Sequence, residues 1–161
     1  MKRITINNKE YTIEYSIEAT LHNEAVETVM DMMLEINIVQ TELENSNASE
    51  TEKIEMLADA FKKNISNMPQ KALTLFYTGL IEHHGSCGDG SVLSEKDAKA
   101  LLASYIKENE DITLYDVLND MINQMADDHF FDMIGVEKMV NNATSKKTPQ
   151  DHKRKAKSGE K

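Results

Sequence analysis

The feature that most constrains this chain is the spacing of its apolar residues, which recur every three or four positions over most of its length. The first such series consists of Ala25, Val29, Met32, Met33, Ile36, Val39 and Leu43. This spacing places the residues on one face of an α-helix, so it predicts one long helix from about Ile17 to Glu44 with one buried side. Ser16 is a suitable N-cap for that helix.

Capping residues divide the next part of the chain into two further helices. Ser49 with Glu52 three positions later fits a capping box, which predicts a second helix ending near residue 64. Pro69 suits the first turn of a third helix, because a proline there lacks only an N–H that has no helical partner. This helix, residues 69–83, is apolar on most sides and is predicted to be central, with Gly85 as a left-handed C-terminal cap.

Two more helices are predicted after a glycine-rich loop at residues 85–91. Ser94 with Asp97, and Thr113 with Asp116, place a side-chain oxygen where it can accept from the first free N–H groups of a helix. The two helices are expected to end near residues 109 and 134, the second of them ended or bent at Gly135. The predicted apolar face of the last helix consists of Val117, Leu118, Met121, Ile122 and Met125.

The two ends of the chain differ from this helical pattern. Residues 3–15 alternate apolar and polar side chains around Asn7-Asn8, which predicts a β-hairpin because asparagine tolerates the positive φ of tight turns. Residues 141–161 are polar and are expected to be disordered. The predicted fold is therefore mainly α, a bundle of about five helices over residues 1–140 with an N-terminal hairpin, followed by a disordered basic tail.

Charge is unevenly distributed along the chain. Residues 1–145 carry a formal charge of −15 and residues 146–161 a charge of +5. The acidic body argues against nucleic acid and anionic membranes as partners, because both attract positive charge. The tail is predicted to contact the acidic body or an acidic partner. Its contact residues are Lys146, Lys147, Lys153, Arg154 and Lys155.

Other features of the sequence argue for a cytoplasmic protein without cofactors. Cys87 is the only cysteine, so no disulfide can form within the chain. No run approaches the roughly 20 apolar residues that a membrane-spanning helix needs, and no signal peptide is expected. None of the common nucleotide-binding, hydrolase or zinc-protease motifs occurs, so no catalytic residue, metal ligand or cofactor is predicted.

The loop after the third helix resembles the centre of a calcium-binding EF-hand only in part. If Gly90 is placed at position six, then Gly85, Cys87 and Lys96 occupy positions one, three and twelve, where acidic ligands are needed. Asp89 alone cannot supply the oxygen cage, so a capped turn is the better interpretation.

The adjacent His83 and His84 point about 100° apart on a helix and are poorly placed to share a metal ion. A role at the helix C-terminus, where a cationic side chain is favoured, is expected instead.

Two alternative functions follow from charged residues. The first is a metal-dependent enzyme built on Asp128, His129 and Asp132, although a solvated helix edge explains the same cluster. The second is a small acidic inhibitor that mimics nucleic acid, which the charge of the body permits. Mimicry requires regular rows of carboxylates, whereas a binding protein for apolar partners requires an open apolar groove.

Two segments of the chain resemble a known family. Residues 75–85, with the sequence LFYTGLIEHHG, resemble the FYAGL-x-x-x-HG segment of tail assembly chaperones from long-tailed phages (siphoviruses) of Gram-positive bacteria. Residues 128–132, DHFFD, resemble that family's acidic-Phe-Phe segment, with His129 where a glycine is often found. The positions that carry the resemblance are Phe76, Tyr77, Gly79, Leu80, His84, Gly85 and Asp128.

The resemblance implies a function in the infected cell. Such chaperones coat the long, aggregation-prone tape measure protein, recruit tail tube subunits around it and are absent from the finished virion. A ribosomal frameshift often produces a longer form that contacts the tube protein, and the resemblance leaves room for self-association along the partner. The expected contact for the tape measure protein lies on the fourth and fifth helices. Its residues are predicted to be Leu101, Leu102, Tyr105, Met121, Met125, Phe130, Phe131 and Met133.

Overall fold

The computed structural model of the protein describes residues 1–45, 48–136 and 138, except for the side chains of residues 34–40, 42–45 and 61. Its elements are β1 (Lys2–Ile6), β2 (Lys9–Ile13), α1 (Ile17–Thr20), α2 (Asn23–Asn45), α3 (Glu50–His84), α4 (Glu95–Glu108), α5 (Leu114–Asp127) and α6 (Phe130–Met133). This confirms the predicted mainly helical fold with an N-terminal hairpin. The predicted tail contacts Lys146, Lys147, Lys153, Arg154 and Lys155 lie outside the described residues.

The N-terminal hairpin forms as predicted and covers the core with one face. β1 and β2 pair antiparallel, with Ile6 opposite Lys9, so Asn7 and Asn8 alone form the turn. Both asparagines have positive φ, 51° and 61°, as a two-residue hairpin turn requires. The inward-facing side chains are buried, with β2 packing on α3 and β1 on α4; they are Ile4, Ile6, Tyr11 and Ile13.

The predicted second and third helices are one continuous helix, α3, with 35 residues and a length of about 52 Å. The capping box of Ser49 and Glu52 is present at its start. Pro69 lies inside the helix, so the prediction that it begins a new helix is wrong. A proline removes one backbone hydrogen bond from a helix, and here Met68 and Ala72 on either side of it pack into the core, so the helix continues past it.

The predicted first helix is instead two helices, α1 and α2. Ser16 caps α1, and the chain turns at Leu21 and His22, whose N–H groups donate to the carbonyls of Glu18 and Ala19. No glycine or proline marks this break. It allows both α1 and α2 to contact α3, so that Ala19 and Ala25 are both buried.

The predicted fifth helix also ends early, at Asp127, because His129 adopts a left-handed conformation with φ of 57°. The reversal places Phe130 in the core against Tyr15, with ring centroids 5.9 Å apart.

Gly85, which follows α3, was expected to be left-handed, but its φ is −76°. Glycine provides space at this position instead, because a Cβ there would lie 2.4 Å from the carbonyl oxygen of Ile81.

The remaining predicted caps are confirmed. Ser94 accepts from the N–H of Asp97 at the start of α4, and Thr113 forms a capping box with Asp116 at the start of α5. Among the described residues, no helix combines the length and the apolar character that crossing a membrane requires.

Candidate partner-binding furrow

An open apolar depression lies between α2 and α5, next to α6. It has a volume of about 210 Å³. Its lining consists only of apolar side chains, which are Val29, Met32, Met33, Ile122 and Phe131. Four of the five are only partly buried, so the protein's own core does not fully cover them.

A second depression of about 230 Å³ adjoins the first, because Met32 lines both. It lies between α3 and the first turn of α5, and its other apolar members are Ile65, Met68, Tyr115 and Leu118. Asn64, Lys71 and Asn119 form its polar edge. We refer to the two depressions together as the furrow.

The walls of the furrow follow from the helical spacing of the sequence. On α5, Leu118 and Ile122 are four residues apart and lie on one face, as predicted. The capping box fixes where this helix begins, since Asp116 accepts from Thr113 and that hydrogen bonding holds the pKa of Asp116 below its ordinary value. On α2, Val29, Met32 and Met33 repeat the same spacing.

A separate apolar depression of about 310 Å³ lies on the other side of α3, against α4. Its main apolar members are Leu73, Leu102, Ile106 and Leu114. Polar and charged side chains, Gln70 and Lys99, share this lining, so the depression is less apolar than the one between α2 and α5.

The predicted contact residues are divided between core and surface. Leu102, Met121, Met125 and Phe130 are only 5, 3, 0 and 0% exposed, because the apolar faces of α4 and α5 and the turn at α6 point into the core. These four therefore belong to the core of this structure, and Leu102 also borders the depression against α4. Leu101, Tyr105 and Phe131 are partly buried and Met133 is exposed, and Phe131 alone lines the furrow.

The motif segment on α3 has a structural role. Phe76, Gly79 and Leu80 are buried, and Gly79 lies directly under the hairpin. A Cβ at Gly79 would lie 2.7 Å from Cγ2 of Ile13 and 3.1 Å from the Tyr15 ring. The carbonyl of Gly79 also accepts from the N–H of Glu14 at 2.9 Å. The glycine therefore allows strand and helix to approach closely.

Tyr77, in the same segment, is half-buried and packs its ring edge-on against His22, with centroids 6.1 Å apart. Burial raises the pKa of its phenol, and the nearby carboxylates of Asp97, Glu95 and Glu24 raise it further.

His84 joins the hairpin to the loop after α3. Its Nε2 accepts from the N–H of Thr12 at 2.9 Å, so Nδ1 carries the ring proton and donates to Asp89 at 3.1 Å. His84 lies in the last turn of α3, as expected, and there its ring also accepts a hydrogen bond from the hairpin. Its neighbour His83 lies 2.6 Å from Glu14 instead.

Asp128 accepts hydrogen bonds from main-chain groups near the start of the chain. Its carboxylate accepts from the Met1 amine at 2.5 Å and from the N–H of Tyr15 at 2.9 Å. Burial by itself would raise the pKa of Asp128, but these hydrogen bonds outweigh burial and lower it. His129 and Asp132 contact each other at 3.1 Å on the exposed surface. Asp128 therefore has other partners than His129 and Asp132, which pair with each other.

Across the described residues, no group of three or more histidine, cysteine or acidic side chains is placed to hold a metal ion. In the loop after α3, the oxygens of Asp89 accept from Ser91, His84 and Lys9. Hydrogen bonds from Ser91, foremost among these contacts, hold the pKa of Asp89 well below its usual range. Cys87 is exposed in the same loop.

Sequence reasoning missed most of the furrow. Val29, Met32, Met33 and Ile122 were predicted to be on buried helix faces, and Ile65 and Met68 in a break between helices. One signal pointed to them, since Met32, Met33 and Met68 belong to the ten methionines of the chain and methionine is common in surfaces that bind flexible apolar partners. Comparison with protein-family models, curated proteins and solved structures gave no match for this chain.

Proposed function

We propose that this protein is a phage tail assembly chaperone, whose furrow binds an amphipathic helix of the tape measure protein in the cytoplasm of the host. The observation that carries the proposal is the open apolar lining of Val29, Met32, Met33, Ile122 and Phe131. A helix with an apolar stripe presents the kind of surface that such a groove covers. The family resemblance of residues 75–85 and 128–132 supplies the identity of the partner.

The charge of the protein supports the same function. The described part of α2 from residue 23 to 33, together with α5 and α6, contains acidic residues but no lysine or arginine. Bound chaperones would therefore repel other coated filaments and keep them apart in solution. The apolar stripe of the partner would be covered on the inside of the complex, and the acidic helix surfaces would face water.

Recruitment of tail tube subunits, by this chain or by a longer frameshifted form, is part of the proposal. So is self-association of neighbouring copies along the tape measure protein. Both depend on the family resemblance, and neither requires the furrow to bind a second ligand. The protein would then act only during tail assembly and be absent from the mature virion.

Co-expression with the tape measure protein from the same gene cluster tests the proposal. We expect the tape measure protein to be soluble with this chain and aggregated without it. Replacement of Ile122 by glutamine places a polar group in the furrow and should reduce the soluble fraction. Ile17→Gln is the matched control, because Ile17 is exposed on α1 and does not line the furrow.

Two outcomes would contradict the proposal. If the tape measure protein is equally soluble with and without this chain, the protein is not its chaperone. If Ile122→Gln and Ile17→Gln solubilise it equally well, while circular dichroism shows both variants folded, the furrow is not the binding surface.

A further inference from the structure

The apolar face of α3 continues from the furrow toward the start of the helix. Six of the apolar side chains that the structure describes lie within about 80° of one another around the axis of α3, at roughly 100° per residue. In chain order they are Ile54, Leu57, Ile65, Met68, Ala72 and Leu75. The face is buried at Ala72 and Leu75, partly buried at Met68, and open farther out. Ile54, Leu57 and Ile65 are 64, 48 and 48% exposed.

α5 covers only the inner part of this face. α5 covers α3 over the body, and its first turn places Tyr115 beside Ile65 in the furrow. Because α5 begins there, at Leu114, it does not cover the part of the face from Ile65 outward to Ile54. That outer part extends for 11 residues, which is about 16 Å of helix.

We propose that Ile54 and Leu57 form an extension of the furrow, and that one amphipathic helix of the tape measure protein contacts both. This inference rests on the proposed function. Its basis is continuity, because Ile65 belongs both to the lining of the furrow and to the open face of α3. The partner helix that contacts both is then longer than a helix that fills the furrow alone.

A second copy of this chain is the competing occupant, but the three described side chains of the open face are by themselves too small a surface for it. Burying an aliphatic side chain contributes ~2.5 kcal/mol, at ~25 cal/mol for each Å² of apolar surface. On that scale, three half-exposed aliphatic side chains present on the order of 200 Å² of apolar surface. Stable protein–protein interfaces bury roughly 1,200 Å² or more. Added to the furrow, the same face lengthens one continuous binding surface.

The test uses two designed amphipathic helices, with leucine at every third or fourth position and neutral polar residues elsewhere. One has about 14 residues and spans about 21 Å; the other has about 28 residues and spans about 42 Å. Binding of each fluorescently labelled helix to the full chain is measured by anisotropy. The double variant Ile54→Gln/Leu57→Gln should weaken binding of the long helix about tenfold and of the short helix less than about twofold.

The chain offers a matched control with the same residue types. Ile17 on α1 and Leu21 in the turn after it are 70 and 69% exposed and line no part of the furrow, so Ile17→Gln/Leu21→Gln should leave both affinities unchanged. Circular dichroism and gel filtration establish that each variant is folded and report its oligomeric state.

The failure of this inference can be told apart from failure of the proposed function. If Ile122→Gln weakens binding of both helices but the Ile54/Leu57 variant binds the long helix normally, the furrow stands and its extension is refuted. If neither variant weakens binding, the furrow itself is refuted. If the Ile54/Leu57 variant changes only the oligomeric state, that face binds a second copy, and the extension is again refuted.

Discussion

Replacing Gly79 by alanine tests the closest contact between the hairpin and α3. The added Cβ would lie 2.7 Å from Cγ2 of Ile13 and 3.1 Å from both Cζ and the hydroxyl oxygen of Tyr15. Carbon atoms pack at about 3.5–4.0 Å, so the strand or the ring has to move by roughly 1 Å. The strand is also fixed at this point, because Glu14 N–H donates to the carbonyl of Gly79 and the Tyr15 hydroxyl donates to that of Leu75, both at 2.9 Å.

Two opposing effects decide the sign of the change in stability. Alanine is favoured over glycine inside a helix by about 1 kcal/mol. Overpacking a core typically costs about 1–3 kcal/mol, and displacing the Tyr15 hydroxyl would cost about 1 kcal/mol more for a weakened buried hydrogen bond. Because Ile13 and Tyr15 are both fully buried, little room exists to relax. We expect Gly79→Ala to lower the free energy of unfolding by about 2 kcal/mol.

Urea denaturation followed by circular dichroism measures this change. Ala58→Gly provides the control, because it isolates the helix preference at an exposed site of the same helix and should cost about 1 kcal/mol. Ile13→Ala removes the clashing Cγ2, so the double variant with Gly79→Ala should lose less stability than the two single losses together. If Gly79→Ala is neutral or stabilising, close packing at Gly79 is not what requires glycine.

Three further predictions concern buried polar contacts. Tyr15→Phe should lower the free energy of unfolding in urea by about 1 kcal/mol, because it removes the hydroxyl that donates to α3, whereas Tyr115→Phe at the edge of the furrow should change it little. His84→Phe should cost about 1–3 kcal/mol by leaving the Thr12 N–H without an acceptor, and His84→Gln, whose amide oxygen can accept, should recover part of this loss. The pKa of Asp128 is lowered in the folded state, so its stabilisation is present above the unfolded pKa of about 3.9 and is lost as pH falls through the lower folded value. Acid titration of Asp128→Asn should therefore show a shallower loss of stability below about pH 4, and an unchanged acid profile would contradict this role for its carboxylate.

Much of the fold follows from signals that act within a few residues. The turn at Asn7 and Asn8 requires positive φ, which asparagine tolerates, and the hairpin forms where the alternation predicts it. The capping pairs Ser49–Glu52 and Thr113–Asp116 also form where they were predicted. Each signal joins groups at most three or four positions apart, so its energy depends little on the rest of the chain.

Predictions failed where distant residues decide the outcome. Pro69 would end an isolated helix, but core packing on either side of it carries α3 through. His84 was assigned only a place at a helix end, but its ring also accepts from the amide of Thr12, 72 positions away. Asp128 was grouped with its sequence neighbours and instead binds groups of the hairpin.

The sequence by itself determined which residues lie on one face of each helix, because that depends only on a period of about 3.6 residues. Only the tertiary structure decided which of those faces are covered. Met125 and Met32 fit the same helical pattern, yet the first is enclosed in the core and the second lines the open furrow. The difference depends on where α2, α3 and α5 begin and cross, which is set by packing among all of them together.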